Sequence, residues 1–203
     1  MKLYFRPGAS SLSPHIALRE ADLAFDLEKV DTVTKKTETG ADYLAINPKG
    51  YVPALQLDDG QVLTEVSAIV QYIADRAPAS RLAPAAGTME RYRLAEWLNY
   101  ISTELHKSFA PLFSPKAPDE WKAVARAQLV AKFGFLAKQL DGKQYLMGDT
   151  FTVADGYLFT VLRWTTAVKI DPAQWPVLAQ YVERVAARPA VHAALLAEGL
   201  IKS

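Results

Sequence analysis

Two groups along this chain have the chemistry to hold a short peptide. The first is Val52-Pro53, within Asn47-Pro48-Lys49-Gly50-Tyr51-Val52-Pro53-Ala54-Leu55. Pro53 cannot donate to a sheet ladder, so it belongs at a strand start, an edge or a bulge. An X-Pro bond is where a cis peptide costs little, and a cis Val52-Pro53 is expected. That geometry turns the chain and leaves the Val52 N–H and C=O unpaired at the lip of a sheet, where they can pair with an extended peptide as with another strand. The second group is Glu65, in Thr64-Glu65-Val66-Ser67-Ala68-Ile69, where a helix should begin. A helix start offers N–H groups to a carboxylate, and Glu65 can take an ammonium. A strand-like lip beside a site for an amino-acid head group points to capture of a short peptide.

The elements that must position these groups follow from periodicity. Lys2 to Arg6 and Phe25 to Val30 read as strands around a helix over Ser11 to Ala21, with serines to cap it and Pro14 in its first turn. Lys35 to Ala45 is polar, with at most a short helix. Ala54 to Leu57 and Gln61 to Leu63 flank Asp58-Asp59-Gly60, a hairpin signal. Residues 66, 69, 70 and 73 form an apolar helical face within Glu65 to Asp75. The order βαβ then ββα is that of a thioredoxin-like α/β domain over 1–80. Ala77 to Gly87 is a linker rich in Pro and Ala. From 88 to 203 the pattern is all-helical: Met89 to Phe113 as one long helix, Asp119 to Leu140, a helix opened by Thr152, Trp175 to Ala187, and Pro189 to Ala197. Thr152 and Asp155 make a capping box, without the usual apolar staple because Gly156 stands in its place.

Asn99, Thr103 and His106 fall at i, i+4 and i+7, one polar stripe on the long helix beside an apolar one of Trp97, Ile101 and Leu105. On the residues alone that stripe reads first as a solvated face or as a buried histidine bonded to a carbonyl; the other reading is the wall of a cleft in which His106 donates to a thiolate or to charge developing on a substrate. His15 and His192 show no ligand spacing and read as structural.

Half of the residues are hydrophobic, 22% are charged, and the net charge is +1. This is ordinary globular composition and gives no electrostatic case for nucleic acid or an acidic membrane. Zero cysteines exclude disulfides and thiolate metal sites, and no metal motif is present. No run of apolar residues is long enough to span a bilayer, and the start reads as a strand rather than a leader peptide, so the expected location is cytoplasmic.

Taken in order, Met1 to Tyr4, Pro7 to His15, the Val52-Pro53 and Glu65 segments, Asn99 to Lys107 and Gly148 to Asp155 resemble a glutathione S-transferase, nearest the bacterial beta-like class. The resemblance spans essentially the whole chain. It implies glutathione as cosubstrate, no metal, a small electrophile as second substrate and a homodimer. The chemical problem is then to make a thiolate, since a free thiol with pKa of about 8.5 is only a few per cent ionised at neutral pH. Lowering that pKa by about two units takes roughly 2.7 kcal/mol of preference for the charged form. The Ala9-Ser10-Ser11 turn lies between the first strand and first helix, where hydroxyl and amide donors converge.

By resemblance, position 10 is a cysteine in the class; here it is Ser10, which can donate to a thiolate but cannot form a mixed disulfide. Its bland reading is a helix cap. Ser11, His106 and the helix N-terminal amides are the other candidates for thiol activation. Phe5 stands where many relatives place a tyrosine, and Tyr4 faces the other side of the strand, so Tyr4 reads as packing. The resemblance further implies Lys35 on the glycine carboxylate; Val52, Pro53 and Glu65 as above; Val66 and Ser67 at the γ-glutamyl carboxylate, with Val66 keeping only the backbone contact; and Asn99, Thr103 and His106 at the site. Glu104 is a residue that one subunit can lend to the other.

The expectation is a cytoplasmic transferase that conjugates glutathione to small, partly apolar electrophiles. Two rivals stand beside it: glutathione-dependent reductive or lyase chemistry on aromatic compounds, and a non-catalytic binding protein on the same fold. Ser10 and Phe5 lean toward the second rival; Val52-Pro53, Glu65 and His106 lean against it.

Overall fold

The computed structural model describes residues 1–202. Its internal packing divides the chain into two units, Met1–Ala83 joined by the segment from Ala187 onward, and Pro84–Ala186.

In the first unit the strands and helices run β1 (Lys2–Phe5), α1 (Leu12–Glu20), β2 (Asp26–Asp31), β3 (Lys36–Thr37), α2 (Tyr43–Ile46), β4 (Ala54–Gln56), β5 (Val62–Thr64) and α3 (Val66–Arg76). They build one five-stranded sheet in the order β3-β2-β1-β4-β5. β1 is parallel to β2 and antiparallel to β4, and the β4–β5 hairpin pairs Leu55 with Leu63. This is the expected thioredoxin-like arrangement with one addition, the two-residue β3 on the edge of β2. That strand lies in the polar Lys35–Ala45 stretch, where no apolar alternation could mark it. The hairpin turn closes through Leu57 N–H to the Gln61 carbonyl at 2.8 Å, with Gly60 at φ +88°, a left-handed conformation that costs glycine little.

Side-chain alternation sorts β1 between two faces. Tyr4 joins Val30, Tyr43 and Ala54 in a buried cluster, and its hydroxyl meets Gln56 at 3.0 Å. Phe5 lies on the opposite face, its ring 6.4 Å from that of His15 on α1. The apolar face of α3, formed by Val66, Ile69, Val70 and Ile73, is buried as its period predicts. Each such side chain contributes roughly 1.5–3 kcal/mol when taken out of water.

The tail differs from the expected 88–203 body. The helix Pro189–Ala197, α10 in the numbering below, packs on α1 within the first unit. Arg188 forks onto Glu20 at 2.6 and 2.8 Å. Glu198 is buried and bonds both His15 and Gly8. Local periodicity gives the helix but not its destination, because these partners lie far apart in the chain.

The second unit holds α4 (Met89–Tyr100), α5 (Ala110–Phe113), α6 (Asp119–Leu140), α7 (Val153–Leu162), α8 (Trp164–Ala167) and α9 (Pro176–Ala186), with α10 following in the first unit. The expected single helix over 89–113 is interrupted. After Tyr100 the chain widens into a π-helical turn, Ile101–His106, then tightens to a 3₁₀ turn, Lys107–Phe109, before α5. Its buried stripe is Leu94, Leu98, Ile101, Leu105 and Phe109. Trp97 is only half-buried and packs instead against Tyr100 and Phe135. All ten residues of α7 are buried, as expected of a helix apolar on every side.

The α7 capping box is formed in both directions. Asp155 takes the Leu146 N–H, the Thr152 N–H, the Thr152 hydroxyl and the Tyr181 hydroxyl, all at 2.9 Å. Phe151, with no staple partner at Gly156, packs edge-on against Tyr145. No helix among the described residues is long and apolar enough to cross a membrane.

Candidate functional site

The loop from Arg6 to Ser11 carries the two candidate serines. Ser11 is fully buried, and its hydroxyl takes the Arg6 N–H and donates to the Arg6 carbonyl, both at 3.1 Å. It therefore clamps the loop rather than capping α1, whose N-cap has no side-chain hydrogen bond. Gly8 in the same loop sits at φ +70°, and an added Cβ would come within 3.3 Å of Leu200. Its N–H donates to Glu198 at 2.8 Å. The other Glu198 oxygen meets His15 Nδ1 at 2.9 Å, and His15 Nε2 meets Arg19 Nε at 2.9 Å. Arg19 can only donate, so Nε2 accepts and the ring proton sits on Nδ1, donating to Glu198. This buried chain fixes the loop from behind. His15 is therefore part of the fold's interior, whereas His192, also expected to be structural, is exposed.

Ser10 is 7% exposed, and its hydroxyl donates to the Val52 carbonyl at 3.2 Å. It does not cap the helix. Val52-Pro53 is cis. The Val52 N–H makes no hydrogen bond among the described residues, as expected of a strand lip. Its carbonyl departs from expectation, since Ser10 already occupies it.

The loop before Val52 is braced by residues that periodicity does not flag. The Tyr51 carbonyl accepts from the Asn47 amide at 2.7 Å and from the Tyr43 hydroxyl at 2.8 Å. Asn47 is buried, and its side-chain oxygen takes the Lys49 N–H at 3.2 Å. Lys35 reaches the Gly50 carbonyl at 2.8 Å and lies 5.7 Å from the Tyr51 ring centroid. Gly50 has φ +68°, and a Cβ there would press on Leu44 at 3.1 Å and Lys35 at 3.2 Å. An asparagine opening an Asn-Pro turn was the one sequence signal for this bracing.

Glu65 stands at the N-cap of α3 with φ +68° and ψ 124°, a costly conformation for a residue with a side chain. Its carboxylate makes no cap bond to the helix; it takes an ammonium, that of Lys49, at 2.7 Å. Lys49 also donates to the Thr64 hydroxyl at 3.0 Å. Val66 turns its side chain into the core, and its N–H makes no hydrogen bond among the described residues. Ser67 is half-buried, one position further along α3.

In the second unit, His106 closes the π-helical turn. Its Nδ1 meets the buried Tyr157 hydroxyl at 2.7 Å, and its ring stands edge-on to Trp164 with centroids 4.8 Å apart. Tyr157 thus both packs within α7 and holds His106. Asn99 and Thr103 are exposed, and the Thr103 hydroxyl bonds back to the Asn99 carbonyl at 2.9 Å. The Glu104 carboxylate pairs with Lys132 at 3.0 Å, and the Glu104 carbonyl accepts from Lys132 at 2.7 Å and Ser108 at 2.5 Å. A π-turn shifts the helix ladder and leaves a carbonyl in need of such donors.

Thus Ser10, Ser11, Lys35, Val52, Pro53, Glu65, Val66 and Ser67 belong to the first unit, while Asn99, Thr103, Glu104 and His106 belong to the second. No group of three His, Asp or Glu residues is placed to hold a metal among the described residues.

The family model for the glutathione S-transferase N-terminal domain matches residues 10–76, and that for the C-terminal domain matches 100–189. Glutathione S-transferase GstA of Escherichia coli O157:H7 is 50% identical over 98% of this chain and 100% of its own. A solved ternary complex of BphK, described as a bacterial GST, superposes with TM-score 0.97 at 58% identity, covering 98% of this chain and 100% of that one. A sphingomonad glutathione S-transferase complexed with glutathione superposes at 0.96 with 51% identity, covering 99% and 100%.

Proposed function

Because the chain belongs to the glutathione S-transferase family and uses glutathione as cosubstrate, we propose that its first unit holds the tripeptide between Val52 and Glu65 and activates its thiol through Ser10. The observation that carries this reading is the Ser10–Val52 hydrogen bond, which joins the thiol-activating loop to the peptide-binding lip. The cysteine of glutathione pairs with Val52 as a strand would, its N–H on the Val52 carbonyl and its C=O on the Val52 N–H. The incoming N–H replaces the hydroxyl of Ser10 on that carbonyl. Ser10, held only at 3.2 Å, rotates and donates to the sulfur. A hydrogen bond to a charged group is worth about 1.5–3 kcal/mol, enough for one to two units of thiol pKa. Lys35, already turned onto Gly50, takes the glycine carboxylate. Val66, with Ser67 beside it, presents backbone N–H to the γ-glutamyl end.

The reaction is conjugation. The thiolate attacks an electrophilic carbon, an S–C bond forms, and the leaving group departs with its electron pair. The protein's contribution is electrostatic stabilisation of S⁻ by donors fixed in advance. With no cysteine in the chain, no protein–glutathione disulfide can form. The second unit is assigned the partly apolar electrophile, and its His106, braced by Tyr157 and Trp164, is assigned proton donation to charge developing on it. The chain works in the cytoplasm as a homodimer, the pairing of copies being supported by exposed Met89, Tyr92 and Phe135 on α4 and α6.

Calorimetric titration with glutathione, run beside a thioether-forming assay on an aryl halide, tests this. Wild type should bind and conjugate. Glu65→Ala should weaken binding by about 1–2 kcal/mol, since Glu65 is exposed and solvent screens part of the full charged-bond value. Unchanged affinity in the folded variant removes Glu65 from the site.

A further inference from the structure

Lys49 and Glu65 form an ion pair that does little for the fold. Both side chains are open to water, 52% and 69% exposed, and such pairs add almost nothing to stability. Yet Glu65 is held in an unfavourable backbone conformation and withheld from capping its own helix. Strain of that kind gathers where function over-determines a residue.

The pair is also chemically unfinished. The ammonium of Lys49 has three N–H donors; one goes to Glu65 Oε1 and one to Thr64 Oγ1. The third has no partner among the described residues, and neither does Glu65 Oε2. One site therefore offers an unused cationic donor beside an unused anionic acceptor. Its complement is a zwitterion whose ammonium and carboxylate share one carbon. In glutathione only the γ-glutamyl end has that form, because its peptide bond runs through the side-chain carboxyl.

We propose that Lys49 is a glutathione-binding and specificity-determining residue, taking the γ-glutamyl α-carboxylate while Glu65 takes the adjacent ammonium. The assignment rests on the head-group placement given above and extends it. Lys49 is held ready by three contacts: Glu65, Thr64 and, through its own N–H, the buried Asn47. The pair then discriminates a γ-linked glutamyl peptide from an α-linked one, whose terminal ammonium has no neighbouring carboxylate. Discrimination of this kind arises because a partner left unpaired costs affinity.

The test uses three probes on the whole protein by calorimetry: glutathione, 4-aminobutanoyl-cysteinylglycine, which lacks the α-carboxylate, and glutaryl-cysteinylglycine, which lacks the ammonium. Lys49→Met should lose about tenfold in affinity for glutathione and for the glutaryl probe, and nothing for the aminobutanoyl probe. Lys49→Arg should keep most of the affinity. Equal losses on all three probes, or a gain for glutathione because Lys49 merely competes for Glu65, overturns the assignment. If wild type binds the glutaryl probe as tightly as glutathione, the head-group placement at Glu65 fails, and Lys49 with it. If wild type discriminates both probes but Lys49→Met changes nothing, only the role of Lys49 fails.

Discussion

Asp155→Ala destabilises the second unit by about 3–5 kcal/mol, because four donors lose one buried acceptor at once. Four donors converge on that carboxylate, and removing it leaves the Leu146 and Thr152 N–H groups and the Thr152 and Tyr181 hydroxyls facing an empty space. Thermal unfolding should shift down by on the order of 10 °C. Burial holds the Asp155 carboxyl above the ordinary carboxylate range, even though the four hydrogen bonds pull the other way. The folded chain then keeps a proton that the unfolded chain has released. Stability accordingly declines as pH rises from about 4 toward that raised value, and Asp155→Asn abolishes this slope. A melting temperature within a degree or two of wild type for Asp155→Ala would show that the box is dispensable.

Glu198→Ala is the second large effect, about 2–4 kcal/mol, because it removes the acceptor of the fully buried His15 Nδ1–H and that of the half-buried Gly8 N–H together. Its distinguishing consequence is local. The Gly8 N–H loses its acceptor, so hydrogen exchange at Gly8 should accelerate by at least tenfold beyond what global destabilisation explains. Exchange in α6, which belongs to the other unit, should follow global stability alone. Loss of stability with Gly8 exchange tracking the rest of the molecule would contradict the role of Glu198 in bracing the Ser10 loop.

Local chemistry made part of this molecule legible. The apolar face of α3, the Asp58-Asp59-Gly60 turn, the Thr152–Asp155 box and the span of α6 follow from period, turn residues and caps acting over a few positions. The cis peptide before Pro53 was legible for the same reason. What stayed hidden depends on partners distant in the chain. Glu198 meets His15 only after the whole second unit has been traversed. Nothing near Asn47 states that its amide will hold the Tyr51 carbonyl. The π-turn at Ile101–His106 escaped because its apolar residues still satisfy an ordinary helical stripe. At the candidate site, residue types were legible but hydrogen-bond destinations were not. Ser11 looked free to cap and is spent on Arg6; Glu65 looked free to take a ligand's ammonium and already holds that of Lys49 with one oxygen.

The claim that Ser10 stabilises the glutathione thiolate is tested most directly by the ultraviolet absorbance of that thiolate, titrated against pH on the bound complex. For wild type the bound thiol should ionise well below the free value of about 8.5. In Ser10→Ala its pKa should rise by about one to two units, with conjugation slowed roughly ten- to hundredfold and affinity little changed. Ser10→Cys should form a mixed disulfide visible as added mass, which wild type cannot. If Ser10→Ala keeps both the thiolate titration and the rate of wild type, Ser10 does not act on the sulfur and the proposed mechanism is wrong.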